Sequence, residues 1–166
     1  MCIRDSTNIG TGPNGLIRCL AIEDSGDILV GGDFTAFNGS SILGLARLDT
    51  TGTPDPGFSV PFNPTAIVTN IHSVVAQADG KIMAGGQLYI GSTGSGFRSG
   101  VARLNANGSR DTTFDPDAGA HETGSTSGLR RVYAITQLNN GQYVLGGSFT
   151  AYDENAAPYL LSLIHI

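Results

Sequence analysis

A block that ends in two glycines occurs three times along the chain and limits the available folds more than any other feature. Each copy has two short apolar stretches around a turn, as in residues 75–88, and the glycine pair falls within the second stretch. The copies follow at intervals of 54 and 61 residues, a period typical of a tandem structural repeat. The three pairs are Gly31-Gly32, Gly85-Gly86 and Gly146-Gly147.

Two further blocks recur in the same order and at nearly the same period. An Ala-Arg-Leu sequence followed by Asp or Asn occupies residues 46–49 and again 102–105, and an Asp-x-x-Phe block follows each copy. Several blocks in one order make chance similarity implausible, so we interpret the chain as a series of repeated units. The repeated charged and aromatic residues are Arg47, Asp55 and Phe58 in one unit and Arg103, Asp111 and Phe114 in the next.

Each unit contains four short pieces that are rich in Val, Ile and Leu, as β-strands are. Asp79-Gly80 and Asn107-Gly108 separate pieces of the second unit, and both dipeptides accept the positive φ angles of tight hairpin turns. Gly or Pro interrupts every stretch before a helical period runs for three turns. The four pieces of the second unit are residues 72–77, 81–88, 100–105 and 109–114.

Four antiparallel strands at this period form a unit of the size of one β-propeller blade. We therefore predict an all-β chain of tandem four-stranded antiparallel β-propeller blades in an incomplete ring. A β-sandwich would give no reason for the repeated blocks. A parallel β-solenoid would need shorter coils without hairpin turns.

The two terminal hexapeptides, residues 1–6 and 161–166, are related through their coding DNA. The first can be encoded by ATG TGT ATA AGA GAC AG, and the reverse complement, CTG TCT CTT ATA CAC AT, encodes the second. We interpret both as translated sequencing adapter around a fragment of metagenomic DNA and exclude them from fold reasoning. The rest divides into the tail of a preceding repeat at 7–15, units at 16–66 and 67–128, and a partial unit at 129–160.

Composition excludes several classes of protein. A net charge of −5 with only nine Lys and Arg residues argues against an electrostatic nucleic-acid binder. No apolar run approaches the roughly 20 residues of a membrane-spanning helix. Cys2 lies in an excluded hexapeptide, so no disulfide framework is predicted, and Cys19 on an apolar strand is interpreted as a core residue.

The repeated glycines and charges have structural interpretations. Glycine inside a strand costs backbone entropy, so we predict close approach of neighbouring strands or a bulge at each pair, with approach of a ligand as the alternative. Arg47 and Arg103 each precede an Asp by eight residues across a predicted turn. We expect an Arg–Asp pair that holds each outer hairpin, with an anion-binding arginine as the alternative.

Four apparent chemical motifs lack the context that their chemistry requires. Gly10-x-Gly12-x-x-Gly15 follows no strand and precedes no helix, so we interpret it as a linker rather than a dinucleotide fingerprint. Asp115-x-Asp117-x-Gly119 resembles the start of a calcium loop without its remaining ligands. His72, expected on a strand at a blade surface, and His121, expected in a loop, have no neighbouring metal ligands. We predict no catalytic, cofactor-binding or metal-binding residues.

The combined pattern resembles the delta-60 repeat. The residues that carry this resemblance are Asp79-Gly80-Lys81-Ile82, Gly85-Gly86, Ala102-Arg103-Leu104-Asn105, Asn107-Gly108-Ser109 and Asp111-x-x-Phe114. Departures are Ser25-Gly26-Asp27 in place of Asp-Gly-Lys, Leu88 in place of Phe, and an insertion at 91–96. The resemblance implies β-propellers of bacterial secreted or cell-surface proteins, and therefore an extracellular location, and it implies no particular activity.

Two functions remain open after these exclusions. The first is a non-catalytic scaffold or interaction module whose partners are neighbouring repeats of the same chain and protein or glycan ligands. Its candidate recognition loops are residues 37–43, 91–98 and 152–159. The second is a propeller enzyme, a hydrolase or lyase acting on a small molecule or glycan. Such enzymes gather unlike polar residues near the central channel, and no such set is visible in the sequence, so we favour the first.

Overall fold

The computed structural model describes residues 10–60, 70–90, 98–114, 120–121, 131–152, 155–156 and 160–163. Every regular element in these ranges is a β-strand. The first unit contains β1 (Ile17–Ile22), β2 (Ile28–Gly32), β3 (Ala36–Phe37), β4 (Ser40–Ser41) and β5 (Leu45–Leu48). The second contains β6 (Asn70–Ala76), β7 (Ile82–Ile90), β8 (Arg98–Leu104) and β9 (Ala120–His121). The third contains β10 (Val132–Gln137), β11 (Tyr143–Gly147), β12 (Ala151–Tyr152), β13 (Asn155–Ala156) and β14 (Leu160–Leu163).

Among the described residues, the main sheet of each unit has three antiparallel strands, and we call this sheet a blade. The first blade has the order β1-β2-β5, the second β6-β7-β8 and the third β10-β11-β14. The all-β antiparallel class predicted from the sequence is confirmed. The predicted unit boundaries near residues 66 and 128 fall outside the part of the chain that the structure describes.

The fourth strand expected at 109–114 is much shorter than predicted. Arg110 forms a single bridge with Leu104, and the Asp111 N–H donates to the Arg103 carbonyl at 3.0 Å. The Asp111 side chain then accepts a hydrogen bond from the Thr113 N–H at 2.9 Å, which turns the chain away from the sheet. An Asp side chain that bonds the backbone two residues on competes with strand pairing, which explains why the strand stops there.

Glycine closes the hairpin turns of all three blades. The Gly80 N–H donates to the Gln77 carbonyl at 2.9 Å, and Gly80 has φ +79°. Gly26 (φ +90°) and Gly141 (φ +83°) occupy the same place in the other blades. Because only glycine adopts such angles without strain, the departure Ser25-Gly26-Asp27 keeps the turn.

The blades stack face to face and share apolar cores. On β7, Ile82 and Ala84 pack with residues of the first blade, whereas Met83 packs with residues of the third. This alternation follows from the two-residue period of a strand that is buried on both faces. The first interface includes Leu29, Leu45, Phe58, Ile71 and Val74, and the second includes Val101, Phe114, Val132, Ile135 and Leu145.

The first strands of the three blades run side by side. Strand β6 contacts both β1 and β10, whereas β5, β8 and β14 mainly contact their own sheets. β1, β6 and β10 are therefore the inner strands of the stack, and the hairpin turns after β5 and β8 lie toward its outside. Inner strands of this kind line the central channel of a propeller.

Small accessory sheets connect successive units. β12 pairs with β13 and with β9, and a bridge joins Pro13 to Phe37 at the equivalent place in the first unit. His121, predicted to lie in a loop, is therefore in a strand, because its backbone pairs with Ala151. In the segment 10–15, which the sequence analysis interprets as a linker, the Gly12 N–H donates to Asn38 Oδ1 at 2.8 Å.

Candidate functional site

The first glycine of the pair lets the next blade approach. A Cβ at Gly31 would lie 2.5 Å from Cys19 Sγ and 2.7 Å from Ile71 Cγ2 of the second blade. A Cβ at Gly85 would lie 2.6 Å from Ile135 Cδ1 of the third blade. Real side chains do not approach this closely, so the predicted close approach is present at both positions. Gly146 has the same register, opposite Ala134.

The second glycine of the pair lies against a β-bulge on the inner strand. A Cβ at Gly32, Gly86 or Gly147 would overlap the carbonyl oxygen of Leu16, Asn70 or Arg131, respectively. In the first blade, Gly32 pairs with residue 17 and Gly31 with residue 19, so the residue between them has no partner. The same shift occurs in the other two blades. The bulged residues are Arg18, His72 and Tyr133.

A bulge changes the direction of a side chain, and here it does so at one equivalent position in each blade. The residues that follow the glycine pairs, Asp33, Gln87 and Ser148, form hydrogen bonds with these bulged residues or with Arg131. Arg18 Nε donates to Asp33 Oδ1 at 2.6 Å, and Arg131 Nε donates to Gln87 Oε1 at 2.9 Å. We call the resulting group the collar, which consists of Arg18, Asp33, His72, Gln87, Arg131, Tyr133 and Ser148.

The collar joins side chains from all three blades. The His72 and Tyr133 rings meet edge to face with centroids 5.2 Å apart. Hydrogen bonds from Arg131 and Ser148 lower the pKa of the Tyr133 hydroxyl. Two guanidinium groups and one carboxylate leave the collar with a net positive charge, whereas the whole chain carries −5.

His72 is the least satisfied member of the collar. Its Nε2 is buried and makes no hydrogen bond with the part of the chain that the structure describes. Burial lowers the pKa of His72, the positive charge of Arg18 and of Arg131 lowers it further, and Asp33 opposes them in part. These effects together favour the neutral form of the imidazole.

The collar brings unlike polar residues together near the channel, a group that the sequence analysis did not identify. Sequence reasoning missed it because its members lie in three separate units and no local motif joins them. One signal was available in the repeat alignment. Arg18, His72 and Tyr133 differ in chemistry, although the preceding residue is apolar in every unit (Ile17, Ile71 and Val132).

Both Arg–Asp pairs form at the outer side of the blades. Arg47 Nε lies 3.0 Å from Asp55 Oδ2, and Arg103 Nε lies 2.7 Å from Asp111 Oδ2. Each guanidinium also lies over the ring of the repeated phenylalanine, 4.9 Å from the centroid of Phe58 and 5.1 Å from that of Phe114. The repeated Arg, Asp and Phe thus form one outer cluster in each of these two units.

The acids of the outer clusters are held ionised. Burial of Asp111 opposes its charge, but hydrogen bonds from Thr113, Lys81 and Arg103 hold the pKa of its carboxyl well below the usual range. The hydrogen bond from Arg47 is the main cause of the lowered pKa of Asp55. These contacts favour a structural role for both arginines over the anion-binding alternative, because each guanidinium already has an anionic partner.

The first outer cluster also joins two blades. Arg47 Nη1 donates to the Ala106 carbonyl of the second blade at 2.6 Å. Beside it, the Ser59 N–H donates to the Asn107 carbonyl at 3.1 Å. A Cβ at Gly108 (φ +84°) would lie 2.8 Å from the Ser59 carbonyl oxygen. The turn glycine of the second unit therefore allows the first unit to lie close against it.

The predicted recognition loops, the calcium-like segment and Cys19 are only partly covered by the described residues. The loop 37–43 contains the β3–β4 turn, whereas 91–97, 115–119 and part of 152–159 lie outside the description. Cys19 is half-buried beside the first core, and burial raises the pKa of its thiol to about 11. Within the described ranges, no three His, Cys, Asp or Glu side chains are grouped as a metal site requires.

The described elements include no helix of the length and apolar character that crossing a membrane demands.

Comparison with protein families agrees with this fold. The model of a β-propeller domain of unknown function (DUF5122) matches residues 24–58 and 77–114. Each matched segment runs from the first hairpin of a blade to the phenylalanine of its outer cluster. The fold and these matches together define a β-propeller repeat. A search of curated proteins gives no match to the chain.

Proposed function

We propose that the chain is a non-catalytic β-propeller repeat segment that acts as a scaffold or interaction module in a larger protein. The observation that carries this proposal is the equivalence of the two blade interfaces. Ile71 and Val132 are fully buried at matching positions against the preceding blade, and Val74 and Ile135 are nearly so. A module made to stack uses its repeated residues for stacking, as these do.

The first blade presents the same face, and among the described residues no other sheet covers it. Ile17 and Leu20 correspond in register to Ile71 and Val74. Ile17 is 49% and Leu20 is 62% exposed, whereas Ile71 is 0% and Val74 is 8% exposed. Exposed apolar surface of this kind marks an interaction site, and the stacking of the other blades supports another unit of the same type as its partner.

A pair of matched substitutions tests the stacking role. In the 166-residue chain, Val74→Ser should lower the free energy of unfolding by about 2–4 kcal/mol, and Leu20→Ser by less than about 0.5 kcal/mol. With a further copy of residues 67–128 placed ahead of residue 16, Leu20→Ser should become as costly as Val74→Ser. If Leu20→Ser remains neutral in the extended chain, the added unit does not stack and the proposal is wrong.

The collar is the one observation that favours the second candidate, a propeller hydrolase or lyase. It contains a histidine, an acid, two arginines and a tyrosine on or beside inner strands. However, its acid is engaged by Arg18, and among the described residues His72 Nε2 makes no hydrogen bond with a carboxylate that could take up or relay a proton. The group fits binding better than acid–base catalysis.

We also infer, from the resemblance to the delta-60 repeat, that the module comes from a bacterial secreted or cell-surface protein. Fractionation of cells that express the complete gene tests this, with the product expected in the medium or the envelope. Recovery from the cytoplasm alone would contradict it.

We further infer that the terminal hexapeptides come from sequencing adapter. Ser162 stands opposite Val144, the place where Arg47 stands opposite Leu29 and Arg103 opposite Met83. The third unit therefore loses the repeated arginine within residues 161–166. Resequencing of the source DNA with adapter removed should give arginine at this position, and serine there would overturn the inference.

A further inference from the structure

The three bulges place unlike side chains at one level of the stack. Stacking alone requires similar residues at equivalent positions of the blades. The residues just before the bulges, Ile17, Ile71 and Val132, are all apolar and meet that requirement. The bulged positions instead carry a cation, an imidazole and a phenol. Bulges often lie next to functional sites because they aim a side chain away from the sheet.

We propose that the collar binds a small ligand through a carboxylate or phosphate group, with the guanidinium groups of Arg18 and Arg131 as the anchoring donors and the His72 imidazole beside them. This inference goes beyond the scaffold role and does not depend on the addition of further units.

The donor set fits an oxyanion. Arg18 uses Nε and one Nη on Asp33, and Arg131 uses Nε on Gln87 and a further hydrogen bond on the Tyr133 hydroxyl. Each guanidinium carries more N–H groups than these bonds use. Asp33 and Gln87 thus orient the two arginines, and their remaining donors are available to a ligand. Planar guanidinium groups are the side chains best suited to carboxylate and phosphate oxygens.

The charge balance favours an anion at this place. Arg18 and Arg131 both act on His72, and Asp33 is the only carboxylate that acts on it among the described residues. An isolated cationic group in an acidic chain attracts anions locally, although the chain as a whole repels them. The two cations lower the pKa of His72, and the negative charge of a bound anion would raise it and favour the protonated imidazole.

Tyr133 supplies an apolar surface beside the charged groups. It is 48% exposed, and its ring meets His72 edge to face. A partly exposed aromatic ring beside oriented hydrogen-bond donors is typical of a site for a small molecule with both a ring and a charged group. A sugar acid satisfies both features, and a sugar phosphate does so as well.

The experiment uses the full chain with glucuronate, glucose and inorganic phosphate as probes. Isothermal titration calorimetry measures affinity, and NMR of the His72 ring measures its titration with and without each probe. We expect glucuronate, phosphate or both to bind and to raise the pKa of His72, and glucose to do neither. Binding should weaken as the pH rises through the bound-state pKa of His72. The charged or titratable groups that face it are Arg18, Asp33, Arg131 and Tyr133.

Matched variants separate a built site from general charge. Arg131→Gln should weaken binding about tenfold or more, the usual loss of a hydrogen bond to a charged group. His72→Gln should weaken it less, because it removes only the charge of the protonated imidazole. Arg110→Gln removes the same charge as Arg131→Gln at a position outside the collar and should leave binding unchanged. Thermal unfolding of each variant shows that it is folded before it is titrated.

The outcomes are distinct. Glucuronate binding without phosphate binding supports a carboxylate ligand, and the reverse supports a phosphate ligand. Equal losses in Arg110→Gln and Arg131→Gln would show non-specific attraction and overturn the proposal. Failure of both anions to bind, or binding that leaves the titration of His72 unmoved, would overturn it as well. None of these results bears on whether Leu20 becomes buried in an extended chain, so the two proposals fail separately.

Discussion

The outer clusters of the first and second units contain the same Arg, Asp and Phe but balance their charges in opposite ways. In the second unit, Asp111 lies between two cations, Arg103 and Lys81, with Lys81 Nζ 3.0 Å from Asp111 Oδ2. In the first unit, Arg47 lies between two acids, Asp55 and Glu23, the latter 3.8 Å away. The position of Lys81 is occupied in the first unit by Asp27.

This difference in charge accompanies a difference in burial. The Arg103 and Asp111 side chains are 8% and 5% exposed, whereas those of Arg47 and Asp55 are 18% and 31% exposed. A buried carboxylate needs several donors, and the second unit supplies them through Arg103, Lys81 and Thr113. The same repeated Arg, Asp and Phe residues therefore form a buried ion pair in the second unit and a partly solvated ion pair in the first.

The largest expected effect is a difference in stability between substitutions of Asp111 and of Asp55. Asp111→Asn leaves the buried Arg103 without its anion and should lower the free energy of unfolding by about 3–5 kcal/mol. Asp55→Asn should cost about 1 kcal/mol, because water partly screens that pair. Urea denaturation of both variants and the parent measures the two losses. Equal losses would contradict the burial difference on which the comparison rests.

Lowering the pH should remove the stability that Asp111 contributes. The folded-state pKa of Asp111 lies below that of the unfolded chain, about 3.9, so its contribution is present above that pH and is lost as the pH falls through the folded-state value. The stability gap between the parent and Asp111→Asn should therefore be constant from about pH 7 to 5 and shrink below about pH 4. Denaturation curves across this range test it. A gap that widens on acidification would reverse the sign that the ion pair predicts.

A smaller effect follows from exchanging the charge that distinguishes the units. Asp27→Lys places a cation where the second unit has Lys81 and should stabilise the first unit by about 0.5 kcal/mol at low salt. The matched change Lys81→Asp removes a donor from Asp111 and should destabilise the second unit by more than that. Thermal unfolding at low and high salt measures both. A salt-independent gain in Asp27→Lys would point to a cause other than charge.

Much of this architecture was predictable because the repeat carries local information. The turns at Gly80 and Gly108, the close approach at Gly31 and Gly85, and both Arg–Asp pairs depend on residues near in sequence or repeated at a fixed interval. Comparison of the copies supplies what a single strand cannot, namely which glycines and charges are needed in every unit.

The rest depends on contacts between units. His121 enters a strand because the linker crosses a hairpin of the next blade, some 30 residues away. The fourth strand stops at Asp111 because its side chain bonds the backbone at Thr113, which outweighs the strand propensity of the segment. The collar forms only when three bulges come together, and a bulge follows from strand register, which no single segment reveals.

The contact between each first glycine and the next inner strand can be measured directly. Blade stacking places the α-protons of Gly31 beside the Ile71 side chain and those of Gly85 beside that of Ile135. In an isotope-labelled sample, NMR should show nuclear Overhauser effects from Gly31 to the Ile71 Cγ2 methyl group and from Gly85 to the Ile135 Cδ1 methyl group. Absence of both signals, alongside clear cross-strand signals within each sheet, would show that the blades form without stacking and would contradict the account.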